Sequence, residues 1–144
     1  RVAARAYDKF FNINERPETK FDMLQNKLQF PVTAYVEENG FSVVRTFVGH
    51  GVGKELHEDP EVPNFGNAGR GPRLVPGMTI AIEPMICQYD CKITQSKDGW
   101  TVKTKDGGLA AHFEHSNAIL KDHTEIMTRF WDDPDFDPEK FSLK

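Results

Sequence analysis

The length, composition and charge of the chain are typical of one globular domain and argue against a nucleic-acid partner or a membrane span. Its 144 residues fit a single domain, and 38% hydrophobic with 28% charged residues is too apolar a mixture for a disordered chain. The formal net charge of −4 provides no basic surface, so a nucleic-acid partner is not expected. No apolar run approaches the roughly 20 residues that a helix needs to cross a bilayer, so no membrane span is expected.

The first 40 residues have helical patterns separated by turn signals. Apolar residues recur at helical spacing over residues 1–11 and again, more briefly, over residues 21–28. A third helix is predicted over residues 31–38, because Pro is favoured in a first helical turn and Asn39-Gly40 can form a left-handed cap. The chain is thus expected to begin with helices.

The chain after Gly40 has the composition of a sheet. β-Branched and aromatic residues predict four strands, at residues 41–47, 78–86, 100–104 and 109–120. Residues 58–77 are expected to form a long connection, and Lys105–Gly108 a hairpin turn between the last two strands. The predicted fold is α+β with a mostly antiparallel sheet and helices on one face, over a domain of residues 1–128 and an acidic tail of residues 129–144.

Two glutamates lie inside predicted strands. The period of two places Glu83 on the face opposite its neighbouring isoleucines, and places Glu114 on the same face as His112. A lone carboxylate in such an apolar context is costly, so Glu83 is expected to be paired. A salt bridge to Arg45 or Arg73 would satisfy its charge, and a metal ion is the alternative.

Histidines could complete a metal site with these carboxylates. His50 lies within the glycine-rich run Gly49–Gly53, whose backbone allows another group to approach the imidazole, and His57 follows seven residues later. Two imidazoles and two carboxylates suit a divalent ion such as Mn, Fe, Co or Zn. Cys87 and Cys91 lack a second metal-binding pair and are assigned no role beyond reduced thiols.

Seven blocks of sequence together resemble type I methionine aminopeptidases. They occur in the family's order over about two thirds of the chain, with clear resemblance from about residue 32, at residues 40–45, 47–53, 57–60, 75–79, 82–85, 98–104 and 113–115. The resemblance implies the C-terminal half of the pita-bread fold. It also implies a cytoplasmic hydrolase that uses divalent metal ions, two per site in the family, to remove the N-terminal methionine from nascent polypeptides.

The resemblance also assigns roles to individual residues. His57 matches a catalytic histidine that hydrogen-bonds the substrate, and Leu56 and Trp100 match residues near the pocket for the methionine side chain. A place in the core is the alternative for Trp100. The residues that match family metal ligands are His50, Glu83 and Glu114.

Other parts of the family pattern are not found in this sequence. The family's two aspartate ligands and an upstream histidine have no counterpart, and His112 stands where the family usually carries Gln. The site is therefore expected to hold at most one metal ion, and this chain alone is expected to be a fragment that needs a missing N-terminal half. Alternatives are a stand-alone protein with degraded or no peptidase activity, a half-enzyme completed by a partner, a non-catalytic pita-bread binding module, and a creatinase-like or proline-specific peptidase.

Overall fold

The computed structural model describes residues 29–66 and 71–128, with side chains from residue 32 onward. The predicted helices at residues 1–11 and 21–28 and the acidic tail lie outside these residues. The described part of the chain contains one helix followed by ten short strands, and every strand pairing is antiparallel. The α+β prediction is therefore confirmed.

Helix α1 runs from Gln29 to Glu38 and closes as its sequence predicts. Gly40 has a positive φ of 77°, which costs glycine little. The amide of Phe41 donates to the carbonyl of Val36 at 3.1 Å, and that of Gly40 to Glu37 at 3.0 Å, which together form a Schellman motif. Val32 and Val36 lie one turn apart and are both buried, so this face of the helix covers the sheet.

The strands form three sheets. Their bounds are β1 Ser42–Val43, β2 Gly49–Gly51, β3 Glu58–Val62, β4 Thr79–Ile82, β5 Met85–Cys87, β6 Ile93–Gln95, β7 Val102–Thr104, β8 Ala110–His112, β9 His115–Ile119 and β10 Thr124–Ile126. A five-stranded sheet has the order β10-β9-β4-β2-β3, a three-stranded sheet has the order β1-β5-β8, and β6 pairs with β7.

The two larger sheets share one continuous register. Ile82 of β4 pairs with His115 of β9, and Met85 of β5 pairs with His112 of β8. Two residues separate these pairs on each strand, Glu83 and Pro84 on one and Phe113 and Glu114 on the other. The register therefore places Glu83 opposite Glu114. Pro84 has no amide hydrogen, so the ladder is interrupted at this point although the strands continue alongside each other.

The face of this ladder opposite the glutamates forms the core. One buried cluster contains Ile80, Ile82, Ile119, Ile126, Val62 and Leu74. A second cluster joins α1 to the three-stranded sheet through Val32, Val36, Val43 and Ile86, and Phe113 packs against both. The apolar face fixes the strands, and the opposite face is left for polar side chains.

Several strand predictions were wrong in extent or partner. Of the predicted strand at residues 41–47, only Ser42–Val43 (β1) forms a strand. Residues 78–86 form β4 and β5, and residues 109–120 form β8 and β9, rather than one strand each. The connection predicted for residues 58–77 begins with β3, which pairs with β2. The hairpin predicted across Lys105–Gly108 is not formed, because β7 pairs with β6 while β8 pairs with β5. Strands β2, β6 and β10 were not predicted.

Within the described residues, no helix is long and apolar enough to cross a membrane.

Candidate metal centre

The centre of the candidate site is the carboxylate of Glu83. It sits at the break between β4 and β5, and the residue is only 8% exposed. Glu114 occupies the matching break between β8 and β9 on the neighbouring strand. Like charges directly opposite each other across a ladder destabilise it, by about 0.2–1 kcal/mol at exposed positions and by more when one is buried. This arrangement therefore calls for a compensating positive charge.

His50 reaches Glu83 from the other neighbouring strand. It lies in β2 and pairs with Ala81 of β4. Ala81 is two residues before Glu83 and therefore lies on the same face of the strand. Its Nε2 is 3.3 Å from Oε1 of Glu83, and its Nδ1 is 2.8 Å from the carbonyl oxygen of Gly51. A carbonyl oxygen only accepts hydrogen bonds, so Nδ1 carries a proton. Nε2 is then the ring nitrogen that faces the carboxylate, where it can serve as a metal ligand.

The glycines beside His50 explain how three backbones come so close together. A Cβ added at Gly49 would overlap the carbonyl oxygen of Ala81, and one at Gly51 would overlap that of Asp59. Only glycine allows β2 to fit between β3 and β4 at this point. The Gly-His-Gly sequence is thus a packing requirement that holds the imidazole beside the carboxylate.

His112 contacts the second oxygen of the same carboxylate. Its Nε2 lies 3.1 Å from Oε2 of Glu83, and its side chain is 48% exposed. This hydrogen bond is the main cause that raises the pKa of His112, partial burial opposes it, and the charges of Glu83 and Glu114 add to it. Both carboxylate oxygens of Glu83 therefore face an imidazole nitrogen.

These side chains fit a divalent cation. One ligand atom each from Glu83, His112 and Glu114 lies within 4.8 Å of the others, among the residues that the structure describes. Glu83 is buried, whereas His112 and Glu114 are exposed, so an ion from solution can reach this group of side chains. The alternative salt bridge to Arg45 is not formed, because that guanidinium lies 3.8 Å from the carboxylate of Glu37 instead.

A cavity of about 1080 Å³ opens over this face of the sheets. Its lining includes His50, His57, Glu83, His112 and Trp100. The rings of His50 and His57 have centroids 4.2 Å apart and are tilted by 60°. His57 is exposed to the cavity and is therefore open to a bound molecule.

The two residues expected near a methionine pocket are both exposed. Trp100 lies at the cavity rim with 88% of its surface exposed, which rules out the alternative of a core position. It is carried by the turn between β6 and β7, where Asp98 Oδ1 accepts hydrogen bonds from the amides of Trp100 and Thr101 at 3.0 and 2.9 Å. Leu56 is 70% exposed. Their role in binding a methionine side chain stays a prediction.

The structure brings together most of the residues singled out from the sequence. His50 and His112 flank Glu83, Glu114 lies across the ladder, and the ring of His57 contacts that of His50 at a tilt. His112 is not among the ligands that the sequence predicts, although its spacing of two residues from Glu114 in a strand places both on one face. The assignment of His50, Glu83 and Glu114 as metal ligands stays a prediction.

Comparison with known proteins gives a consistent family. Residues 14–121 match metallopeptidase family M24. A methionine aminopeptidase of Clostridium perfringens is 58% identical over 97 residues, which make up 67% of this chain and 39% of that protein. Methionine aminopeptidase 1 of Bacillus subtilis is 48% identical over 104 residues, 72% of this chain and 42% of that protein. The chain therefore spans about two fifths of the length of these relatives.

Solved structures agree. The methionine aminopeptidase of Thermotoga maritima superimposes with a TM-score of 0.73 and 40% identity, over 89% of this chain and 49% of that one. A prolidase from Thermococcus sibiricus, at 16% identity and a TM-score of 0.53, shares the fold alone. These neighbours confirm the pita-bread architecture, of which this chain covers about half. The chain belongs to metallopeptidase family M24, and it is similar to methionine aminopeptidases at 40–58% identity.

Proposed function

We propose that this chain supplies the metal-binding part of a methionine aminopeptidase, a cytoplasmic enzyme that hydrolyses the N-terminal methionine from polypeptides. The observation that carries the proposal is the buried Glu83 carboxylate, which has an imidazole nitrogen at each oxygen and Glu114 opposite it. The proposed reaction is inferred from the family match and from the names of the relatives. The two free cysteines suit a reducing compartment.

In this proposal His50, Glu83 and Glu114 hold a divalent ion, Co, Mn, Fe or Zn. The hydrogen bond from Nδ1 of His50 to Gly51 keeps Nε2 available as a ligand. A divalent ion held there would supply Lewis acidity for activating a water molecule and polarising the carbonyl of the scissile bond. These side chains carry two negative charges, which match the charge of one ion.

The remaining proposed roles belong to the cavity. His57 is exposed beside His50 and can donate a hydrogen bond to the substrate. A donor placed at developing negative charge typically lowers the activation free energy by about 3–4 kcal/mol. Trp100 and Leu56 are proposed to contact the methionine side chain once the substrate covers them. We propose that the enzyme is completed by a further segment or partner that provides the aspartate ligands.

A chimera tests the function without assuming how the active enzyme is completed. The segment of this chain that matches the Clostridium perfringens enzyme, at 58% identity over 97 residues, replaces its counterpart in that enzyme. The chimera is assayed with Co or Mn for release of methionine from a Met-Ala peptide. We expect metal-dependent release, which the same chimera with Glu83→Gln loses.

The control for the chimera is Glu61→Gln, because Glu61 is an exposed carboxylate on the same cavity wall. A folded chimera that binds metal and peptide but releases no methionine would refute the proposal and favour the non-catalytic binding module. Equal loss of activity in both variants with unchanged metal affinity in both would also contradict it, since of these two carboxylates only Glu83 is placed at the metal.

A further inference from the structure

The residue of this site that no family role explains is His112. It ends β8, directly opposite Met85 of β5, and it lies two residues before Glu114 on the same face of the sheet. Its Nε2 faces the oxygen of Glu83 that His50 does not occupy. The imidazole is therefore held in the site by the same register that sets the two glutamates opposite each other.

We propose that His112 is a further ligand of the same divalent ion, so that it joins His50, Glu83 and Glu114 as a fourth donor from this chain. The inference rests on the metal site of the proposed function and extends it. The ligand atoms of Glu83, His112 and Glu114 lie within 4.8 Å of one another.

Charge balance and burial distinguish this role from a simple hydrogen bond. The side chain of Glu83 is nine-tenths buried, with 10% exposed, so its charge requires neutralisation nearby. The carboxylate of Glu114 lies opposite Glu83 across the ladder and is exposed, so an ion from solution can reach both carboxylates and the imidazole of His112. A divalent ion there takes oxygen ligands from the carboxylates and a nitrogen ligand from the imidazole.

The added nitrogen predicts which metals the site prefers. Carboxylates alone suit Mn and Mg, whereas imidazole ligands favour Zn, Co and Ni. We therefore expect this site to favour Co and Zn over Mn more strongly than the same site with an amide at position 112. His112→Gln is the informative substitution, because it retains a polar side chain of similar length and removes the nitrogen ligand.

The experiment compares the full chain with its His112→Gln variant. Calorimetric titration with Co, Zn and Mn gives the affinities, and the visible absorption of bound Co and X-ray absorption of bound Zn report the ligands. In the variant we expect Co and Zn affinity to fall by at least about 10–100-fold, Mn affinity to change by much less, and one imidazole to be lost from the Zn shell.

Two further variants separate the possible outcomes. His123→Gln is the matched control, because His123 is half-exposed and pairs with Asp122 elsewhere on the surface. If folded His112→Gln binds Co and Zn with unchanged affinity and an unchanged ligand shell, His112 is not a ligand, while the proposed function stands. If the wild-type chain binds none of the ions, or Glu114→Ala binds them unchanged, the metal site of the proposed function fails as well.

The side chain of His112 is 48% exposed, so its replacement removes little packing and the variant is expected to fold. If His112→Gln nevertheless aggregates, His112→Ala is measured in its place, with the same expected loss and the same refuting result.

Discussion

Replacing Glu83 with Gln separates the metal-dependent part of the stability from the rest. Gln preserves the shape of the side chain, so the buried position stays filled. Without metal, two effects oppose each other. The charge-assisted hydrogen bond from His112 becomes a neutral one, at a cost of about 1 kcal/mol, and the repulsion from Glu114 is relieved, which returns about 0.2–1 kcal/mol. The metal-free stability should therefore change by about 1 kcal/mol or less.

The metal-dependent stability should be lost completely. An ion at 100 times its dissociation constant stabilises the folded wild-type chain by about 2.7 kcal/mol. At about 2–4 °C per kcal/mol for a chain near this size, the melting temperature should rise by about 5–10 °C when metal is added. Glu83→Gln removes one ligand and one of the two negative charges, so its melting temperature should not respond to the same metal concentration.

The assay is thermal unfolding followed by circular dichroism at one fixed pH, first with chelator and then with Co or Mn. Glu61→Gln should retain the full metal-induced rise, because Glu61 is exposed on β3. An equal rise in Glu83→Gln and in the wild-type chain would refute the placement of the ion at this carboxylate.

Three further predictions concern the scaffold. Ile82→Ala, in the core cluster at 2% exposure, should lower the free energy of unfolding by about 2–5 kcal/mol in urea titrations, and a loss below about 1 kcal/mol would contradict the assigned core. Gly49→Ala should weaken both folding and metal uptake, because its Cβ overlaps the carbonyl oxygen of Ala81; full metal affinity in this variant would show that β2 is not held as described. Hydrogen bonds from the hydroxyl and amide of Thr101, and from a neighbouring amide, lower the pKa of Asp98 below its ordinary 3.8, so its stabilising contribution is present above that pH and lost as the pH falls through the lowered value. Unfolding titrations below about pH 5 should therefore show a smaller loss of stability in Asp98→Asn than in the wild-type chain, and parallel curves would contradict this.

The helix and the face of the glutamates could be predicted because their signals are local. The cap at Asn39-Gly40 depends on one positive φ, and the alternation that places Glu83 away from Ile82 is fixed within a single strand. Neither feature needs knowledge of a distant partner.

The pairing of strands could not be predicted in the same way. β3 has the sequence Glu-Asp-Pro-Glu-Val, which lacks an apolar alternation, and it forms because the glycines of β2 allow close approach. The hairpin expected across Lys105–Gly108 fails because β8 has a longer-range partner in β5, whose register also creates the Glu83–Glu114 pair. His112 was not included among the ligands for the same reason, since its contact with Glu83 depends on that register.

The central claim is that this chain holds a divalent ion between Glu83 and Glu114, and calorimetric titration of the wild-type chain and Glu114→Ala with Co tests it most directly. We predict uptake of one ion per chain by the wild type and none by Glu114→Ala, with both proteins folded by circular dichroism. No uptake by the folded wild-type chain, or equal uptake by the two proteins, would contradict the account.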